Sequence, residues 1–264
     1  MEKLEKAGRI AFCIGLAGMV VPQFFYGKFG NNFFPAWPGL PWLPFWASLF
    51  TIVTVGACIV IAFEQKPRMA ALLLGGLLLA MYVLGDIPYE LFIDPYHNHL
   101  GSWANGLKES ALAGGAFVMA GSFPADTSHK NSALIKILEK IVPLGPMLFC
   151  ITMVLYGYAH FLYTQPISTL VPNWIPGHIF WTYFAGAALM ALGLAIIFRI
   201  KIKLADLVLG AVIFLWLIML HIPRAIADPD GDNSNEVVSA FSALAFSGIA
   251  FVIAATAVQR QKTF

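Results

Sequence analysis

The sequence predicts an all-α polytopic membrane protein with eight transmembrane helices, built as two parallel-repeat four-helix bundles. Three observations carry this expectation. First, 59% of the 264 residues are hydrophobic and 11% charged, with a mean hydropathy of +0.77, which leaves too little polar material to coat a soluble domain. Second, the apolar residues gather into stretches of about 17–22, the length that crosses a bilayer. Third, thirteen of the sixteen Lys and Arg residues fall on one side of that plan and five of the six His on the other.

Taken in order, the stretches predict helices near 9–27, 45–63, 69–87, 106–122, 146–163, 178–198, 204–222 and 237–257. The first follows a basic start, as a signal peptide would. It runs on into PQFFYGKFGNN without a small-residue cleavage site, so a retained helix is expected. The segment NFFPAWPGLPWLPFW, Asn32 to Trp46, is expected to lie on the membrane surface as an amphipathic lid, because its prolines preclude a long helix. Ser122 to Lys140 is the one polar midpoint, with a short surface helix expected around Lys136, Glu139 and Lys140.

Placing the amino terminus inside puts Lys3, Lys6, Arg9, Lys66, Arg68, Lys130, Lys136, Lys140, Arg199, Lys201, Lys203, Arg260 and Lys262 on the inner side. Lys28, Lys108 and Arg224 are left outside. Lys and Arg accumulate on cytoplasmic loops, so both termini are expected in the cytoplasm of a bacterial inner membrane. A net charge of +2, sorted this way, reports topology and gives no basis for a nucleic-acid partner.

The midpoint separates two related halves. QFFYG from Gln23 parallels HFLYT from His160. LPFW ending at Trp46 parallels HIFW ending at Trp181, and GDIP ending at Pro88 parallels LHIP ending at Pro223, both at an offset of 135. SALAGGAFVMA from Ser110 parallels SALAFSGIAFVIA from Ser242, with two residues inserted. The expected units are 1–122, a cytoplasmic linker 123–142, and 143–264. Four helices per unit is an even number, so both copies share one orientation.

The densest polar chemistry is in the second unit: His160 near the outer end of its helix, His178 opening the next, and His221 with Arg224 closing the seventh. A four-helix interior could gather them into a cavity for a metal, a quinone oxygen or an acidic head group. Equally, His160 and His221 could each hydrogen-bond a neighbouring backbone carbonyl or water, with His178 facing the interface. Tyr156, Tyr158, Tyr163, Trp174, Trp181 and Tyr183 suit either a ring-binding pocket or an interfacial belt. No HExxH or paired ExxH points to a metal site.

The first unit has Asp86 where the second has His221, followed by Glu90, Asp94, His97 and His99, and Lys108 is expected to neutralise Asp86 or Glu90. Arg224 is expected to pair with Asp228, Glu236 or the Asp230/Asp232 pair. Cys13, Cys58 and Cys150 form no CxxC, and Walker A, GxGxxG and GxSxG patterns are absent, so any electron source is a partner or a lipid-soluble carrier.

GYAHFLYTQP, VPNWIP, the helix carrying Trp181, Tyr183 and Gly186, and the terminal HIPR together resemble the DoxX/DoxD-like group of small four-helix membrane proteins. WANGLKESALAGGAFVMAGS from Trp103 resembles that family's last helix. The resemblance covers most of the chain as a tandem duplication. It implies a membrane subunit of a quinone-linked oxidoreductase or respiratory-type complex, with an outward-facing polar pocket. His160 and His221 would act on quinone oxygens or protons; His178, Arg224, Tyr163 and Trp181, with Gln23 and Asp86 of the first unit, would bind the ligand. Gln23 departs from the pattern, standing where the second unit has His160. The lipid bilayer, a quinone or small apolar ligand, and other subunits of a membrane complex are the implied partners. The other reading is a non-catalytic carrier or scaffold. Against transport, no ionisable group is expected within the inner half of the helices.

Overall fold

In a computed structural model, which describes residues 1–30, 33–125 and 132–261 with side chains as far as Ala257, the described residues are helical throughout, joined by turns and short loops. Asn32, Lys130, Lys262 and the Arg260 side chain, all named above, lie outside the described residues. The chain runs through α1 (Glu2–Tyr26), α2 (Leu43–Ala62), α3 (Pro67–Met81), a π-helical turn (Tyr82–Asp86), α4 (Ile87–Phe92) and α5 (Leu100–Gly121). It continues through α6 (Ala133–Ile141), a 3-10 turn (Val142–Leu144), α7 (Gly145–Leu162), α8 (Thr164–Ser168), α9 (His178–Ile197) and α10 (Ile202–Trp216). A second π-helical turn (Leu217–His221), α11 (Ile222–Ala227) and α12 (Gly231–Gln261) complete it.

Seven helices among the described residues are long and apolar enough to cross a membrane: α1, α2, Pro67–Phe92, Ala133–Leu162, α9, Ile202–Ala227 and Gly231–Ala257. The chain is a polytopic membrane protein. α5 has the length but not the hydropathy, being rich in Gly, Ala and Ser. Its position explains the composition: every residue from Gly106 to Ala120 except Lys108 is buried, so little of this stretch meets lipid. A helix shielded by its neighbours has no need of large apolar side chains, and small ones let those neighbours approach.

α5 and α12 touch each other as a central pair. α1, α2 and α3 form one flanking arc, α1 lying on α12 and α3 on α5; α7, α9 and α10 form the other, α7 on α5 and α10 on α12. The sequence led us to expect two self-contained four-helix bundles, and the packing does not divide that way. The first helix of each half lies on the last helix of the other. The reason is glycine at both crossings. A Cβ on Gly8 would lie 2.8 Å from the Gly248 carbonyl oxygen, and one on Gly145 would lie 2.7 Å from that of Gly114. Backbones this close admit no side chain between them.

Boundaries recur along the chain. The limits of α2, α3, the first π-turn and α4 are found again, at one constant offset, in α9, α10, the second π-turn and α11. Left-handed backbone recurs with them, Trp42 (φ 58°) with Gly177 (φ 76°), Glu64 (59°) with Arg199 (58°), and Lys66 (50°) with Lys201 (44°). Each π-turn stands just before a proline, Pro88 or Pro223. Proline has no N–H to donate and its ring clashes with the carbonyl four residues back. The chain widens instead of breaking: Ile87 N–H bonds Tyr82 O and Ile222 N–H bonds Leu217 O, five residues back. This corrects the expected ends near 87 and 222, since both helices continue to Phe92 and Ala227. α12 begins with left-handed residues Asp232, Asn233 and Ser234 before its regular course.

At the end carrying most of the basic residues, Arg68 clamps α6. Its guanidinium donates to both carboxylate oxygens of Glu139 (2.8 and 2.6 Å) and to the carbonyls of Ala120 (2.9 Å) and Phe123 (2.6 Å). Leu138 of α6 inserts over Gly76, where a Cβ would come within 2.8 Å of it.

Candidate functional site

Between the arc α7–α9–α10 and the central pair lies a cavity of about 320 Å³. α7 contributes Met153, Tyr156 and His160; α9 contributes Trp181, Thr182, Ala185 and Leu189; α10 and its π-turn contribute Ile213, Trp216, Leu220 and His221. α8 and the loop after it cover it with Ile167, Leu170 and Val171. The central pair closes it with Lys108 from α5 and with Ser239, Ser242, Ala243 and Phe246 from α12. A mostly apolar space with a few convergent polar groups is the usual composition of a small-molecule site.

Local hydrogen bonds fix what those polar groups present. The Nδ1 of His160 lies 2.7 Å from the Tyr156 carbonyl, a bond it makes as donor, which leaves Nε2 as the nitrogen able to accept from a ligand. Tyr156 donates its hydroxyl to Ala104 O at 2.6 Å, and Thr152 donates to Leu107 O at 2.9 Å, tying α7 to α5. Thr182 donates to His178 O at 2.9 Å. Trp181 and Trp216 meet edge to face with centroids 6.5 Å apart, and the Trp181 indole donates to Pro176 O at 3.1 Å. His221 closes the second π-turn, and π-turns change which face of a helix a side chain occupies.

Of the residues expected to form one site, His160, His221 and Trp181 line this cavity together. His178, Tyr163 and Arg224 are not in its lining. Tyr163 caps α7, and its hydroxyl accepts from Gly101 N–H at 3.1 Å. Arg224 pairs with Glu236, one of the partners expected, through both carboxylate oxygens. Tyr158, Trp174 and Tyr183 are exposed at the surface and do not line the cavity. Sequence reasoning missed Lys108 as a cavity residue; expected beside Asp86 or Glu90, it faces the second half. It also missed Trp216, Ser239 and Ser242. The spacing of Ser239 and Ser242, one turn apart on α12, was the available signal.

The corresponding space in the first half is filled. Phe33 is fully buried, its ring 5.4 Å from Phe50, which also meets Phe29 at 5.8 Å. Phe34 covers Gly85, where a Cβ would come within 2.6 Å of its ring. Asp86 is 3% exposed and Glu109 fully buried, and their carboxyl groups face each other. Gly106 leaves room for Asp86, since a Cβ there would stand 3.2 Å from Oδ1. Gln23 is buried beside Gly30, in a separate pocket with Met19 and Phe29. In α10, Asp206 is fully buried, which corrects the expectation that the inner parts of the helices hold no ionisable group.

Among the described residues, no three His, Cys, Asp or Glu side chains converge as a metal cage. Cys13, Cys58 and Cys150 are free and buried. Compared with known proteins, the chain matches no protein-family model, no curated protein and no solved structure.

Proposed function

We propose that the chain is a DoxX-like, eight-span, tandemly duplicated protein of a bacterial inner membrane, whose second half binds a quinone-type ring as the membrane subunit of a quinone-linked oxidoreductase. In this reading α5 is the eighth crossing and both termini are cytoplasmic. The sorting of Lys and Arg supports that orientation, and the helix limits that recur at one constant offset support the duplication. The cavity then opens toward the outer side.

The observation that carries the proposal is the single cavity holding His160 and His221 beside Trp181 and Trp216. The residues fit the group. His160 Nε2, an acceptor, suits the hydroxyl of the reduced ring, the hydroxyls of Ser239 and Ser242 suit ring carbonyl oxygens, and indole faces suit a flat apolar body. A bound quinone would supply two-electron redox chemistry; the chain's part is to hold the ring, exclude water and place an imidazole for proton exchange. Gln23, Asp86, His178, Tyr163 and Arg224 act outside this cavity, as supports of the halves and of the mouth.

The test is a titration of purified full-length protein with a short-chain ubiquinone or menaquinone analogue, read by quenching of tryptophan fluorescence. Saturable binding, weakened at least tenfold by His160→Ala and by His221→Ala, is the expected result; no saturable quenching overturns it. A non-catalytic carrier for the same ligand class is the second reading, favoured by the mostly apolar lining. Binding without any quinol turnover in native membranes would select it.

A further inference from the structure

α2 and α3 form a hairpin whose tight turn holds two left-handed residues, Glu64 and Lys66. Between the two helices runs an open groove of about 350 Å³, which shares no lining residue with the cavity of the second half. Ala57 and Val60 of α2 and Met69, Ala70 and Leu73 of α3 line its length, and Gln65 and Lys66 stand at the turn. Val53 and Leu73, 47% and 42% exposed, leave its side open on two helices apolar enough to lie in a bilayer, so an occupant can enter from the lipid. The groove is thus hydrocarbon along its length and cationic at one end. Lys66 enters no ion pair among the described residues. The carboxylate next to it in the turn, Glu64, is held by Arg9 of α1 at 3.4 Å. An apolar channel ending in an ammonium complements an amphiphile with an anionic head, and this turn lies at the end of the molecule that carries most of the basic residues.

We infer that the α2–α3 groove holds one acyl chain of an anionic phospholipid, with the lipid phosphate on the Lys66 ammonium. The duplication supplies an internal comparison. Lys201 has the same left-handed place in the turn between α9 and α10, and its neighbours there are Arg199 and Lys203 where the first half has Glu64 and Arg68. Attraction by bulk charge alone would therefore favour the turn of the second half. Selection by a groove that ends in a cation favours Lys66.

The test titrates delipidated full-length protein in neutral detergent with dioleoyl phosphatidylglycerol or dioleoyl phosphatidylcholine, which carry the same chains, and counts bound lipid by native mass spectrometry. The expected result is one phosphatidylglycerol bound about fivefold more tightly than phosphatidylcholine, the scale of one Lys facing an anionic head. Lys66→Asn, which keeps a residue tolerant of the left-handed turn, should erase that preference, and Lys66→Arg and Lys201→Gln should keep it. Ala57→Phe, which fills the groove and leaves the cation, should weaken both lipids; Val53→Trp at the open side replaces it if Ala57→Phe does not fold. Equal affinities in the wild type, or a preference that survives Lys66→Asn, overturn the inference. So does a preference erased equally by Lys201→Gln, which would make it a general effect of surface charge. Unchanged binding in the groove-filling variant overturns the place of the chain, and displacement of phosphatidylglycerol by an equal concentration of inorganic phosphate would reveal a free-anion site in place of a lipid site.

Discussion

Asp86 and His221 close the two π-helical turns at equivalent positions of the two halves, and their side chains meet different surroundings. His221 lines an open cavity, whereas Asp86 is buried against Glu109 in a half whose corresponding space is packed with phenylalanine. The same backbone device thus presents an imidazole to a ligand in one half and a carboxyl to the neighbouring helix in the other.

Phe33 is the plug of the first half. Phe33→Ala should lower stability by about 3 kcal/mol, in the range found for buried aromatic truncations. Thermal unfolding in detergent would measure it. A change no larger than that of an ordinary surface substitution would mean that the surrounding rings are not packed as described.

The glycine crossings make a paired prediction. Gly114→Leu should destabilise by about 1–3 kcal/mol, because the added side chain meets the α7 backbone at Gly145. Gly56→Leu is the control, since nothing stands within 4 Å of a Cβ there. Equal melting temperatures for the two variants would refute the close crossing.

Arg68→Met leaves the Ala120 and Phe123 carbonyls without their donor and Glu139 without its cation. The expected loss is about 2 kcal/mol, the scale of a charged hydrogen-bonding group. Arg68→Lys should lose less but still fall short of the wild type, as an ammonium cannot reproduce the fork on Glu139. Chemical or thermal denaturation of the three proteins side by side would show wild-type stability in Arg68→Lys if the fork were unimportant.

Arg224 and Glu236 join the end of α11 to α12. A double-mutant cycle with Arg224→Ala and Glu236→Ala should return a coupling of about 0.5–1 kcal/mol, small because the Arg224 side chain is 34% exposed. Ligand binding should change less than twofold in either single variant, since neither residue lines the cavity. A tenfold loss would place Arg224 in the site.

Much of this architecture could be read from the residues. The limits predicted for α2 and α9 lie close to those found, because their apolar runs are bounded by Pro, Gly and charge. His160, His221 and Trp181 could be assigned to one site because their helices are sequence neighbours of one another. The π-turns could not be read, since a proline after an apolar run signals a helix end equally well. Nor could the direction of Lys108. Residues 108 and 109 are about 100° apart on a helix, and only the placement of α5 between α3 and α7 decides which faces the cavity. The crossing of Gly8 with Gly248 was hidden for a simpler reason: no local pattern reports a partner at the far end of the chain.

That crossing also sets an order of events during synthesis. The glycine face of α1 enters the bilayer at the outset, yet the row of small residues it docks on is made only when nearly all the rest of the chain has been translated. At ribosomal speeds of roughly 5–20 residues per second, α1 waits for about 10–50 s with that face turned to lipid or to an insertion factor. Synthesis of α12 is thus the step that lets α1 dock, and deletion of α12 leaves α1 undocked as well.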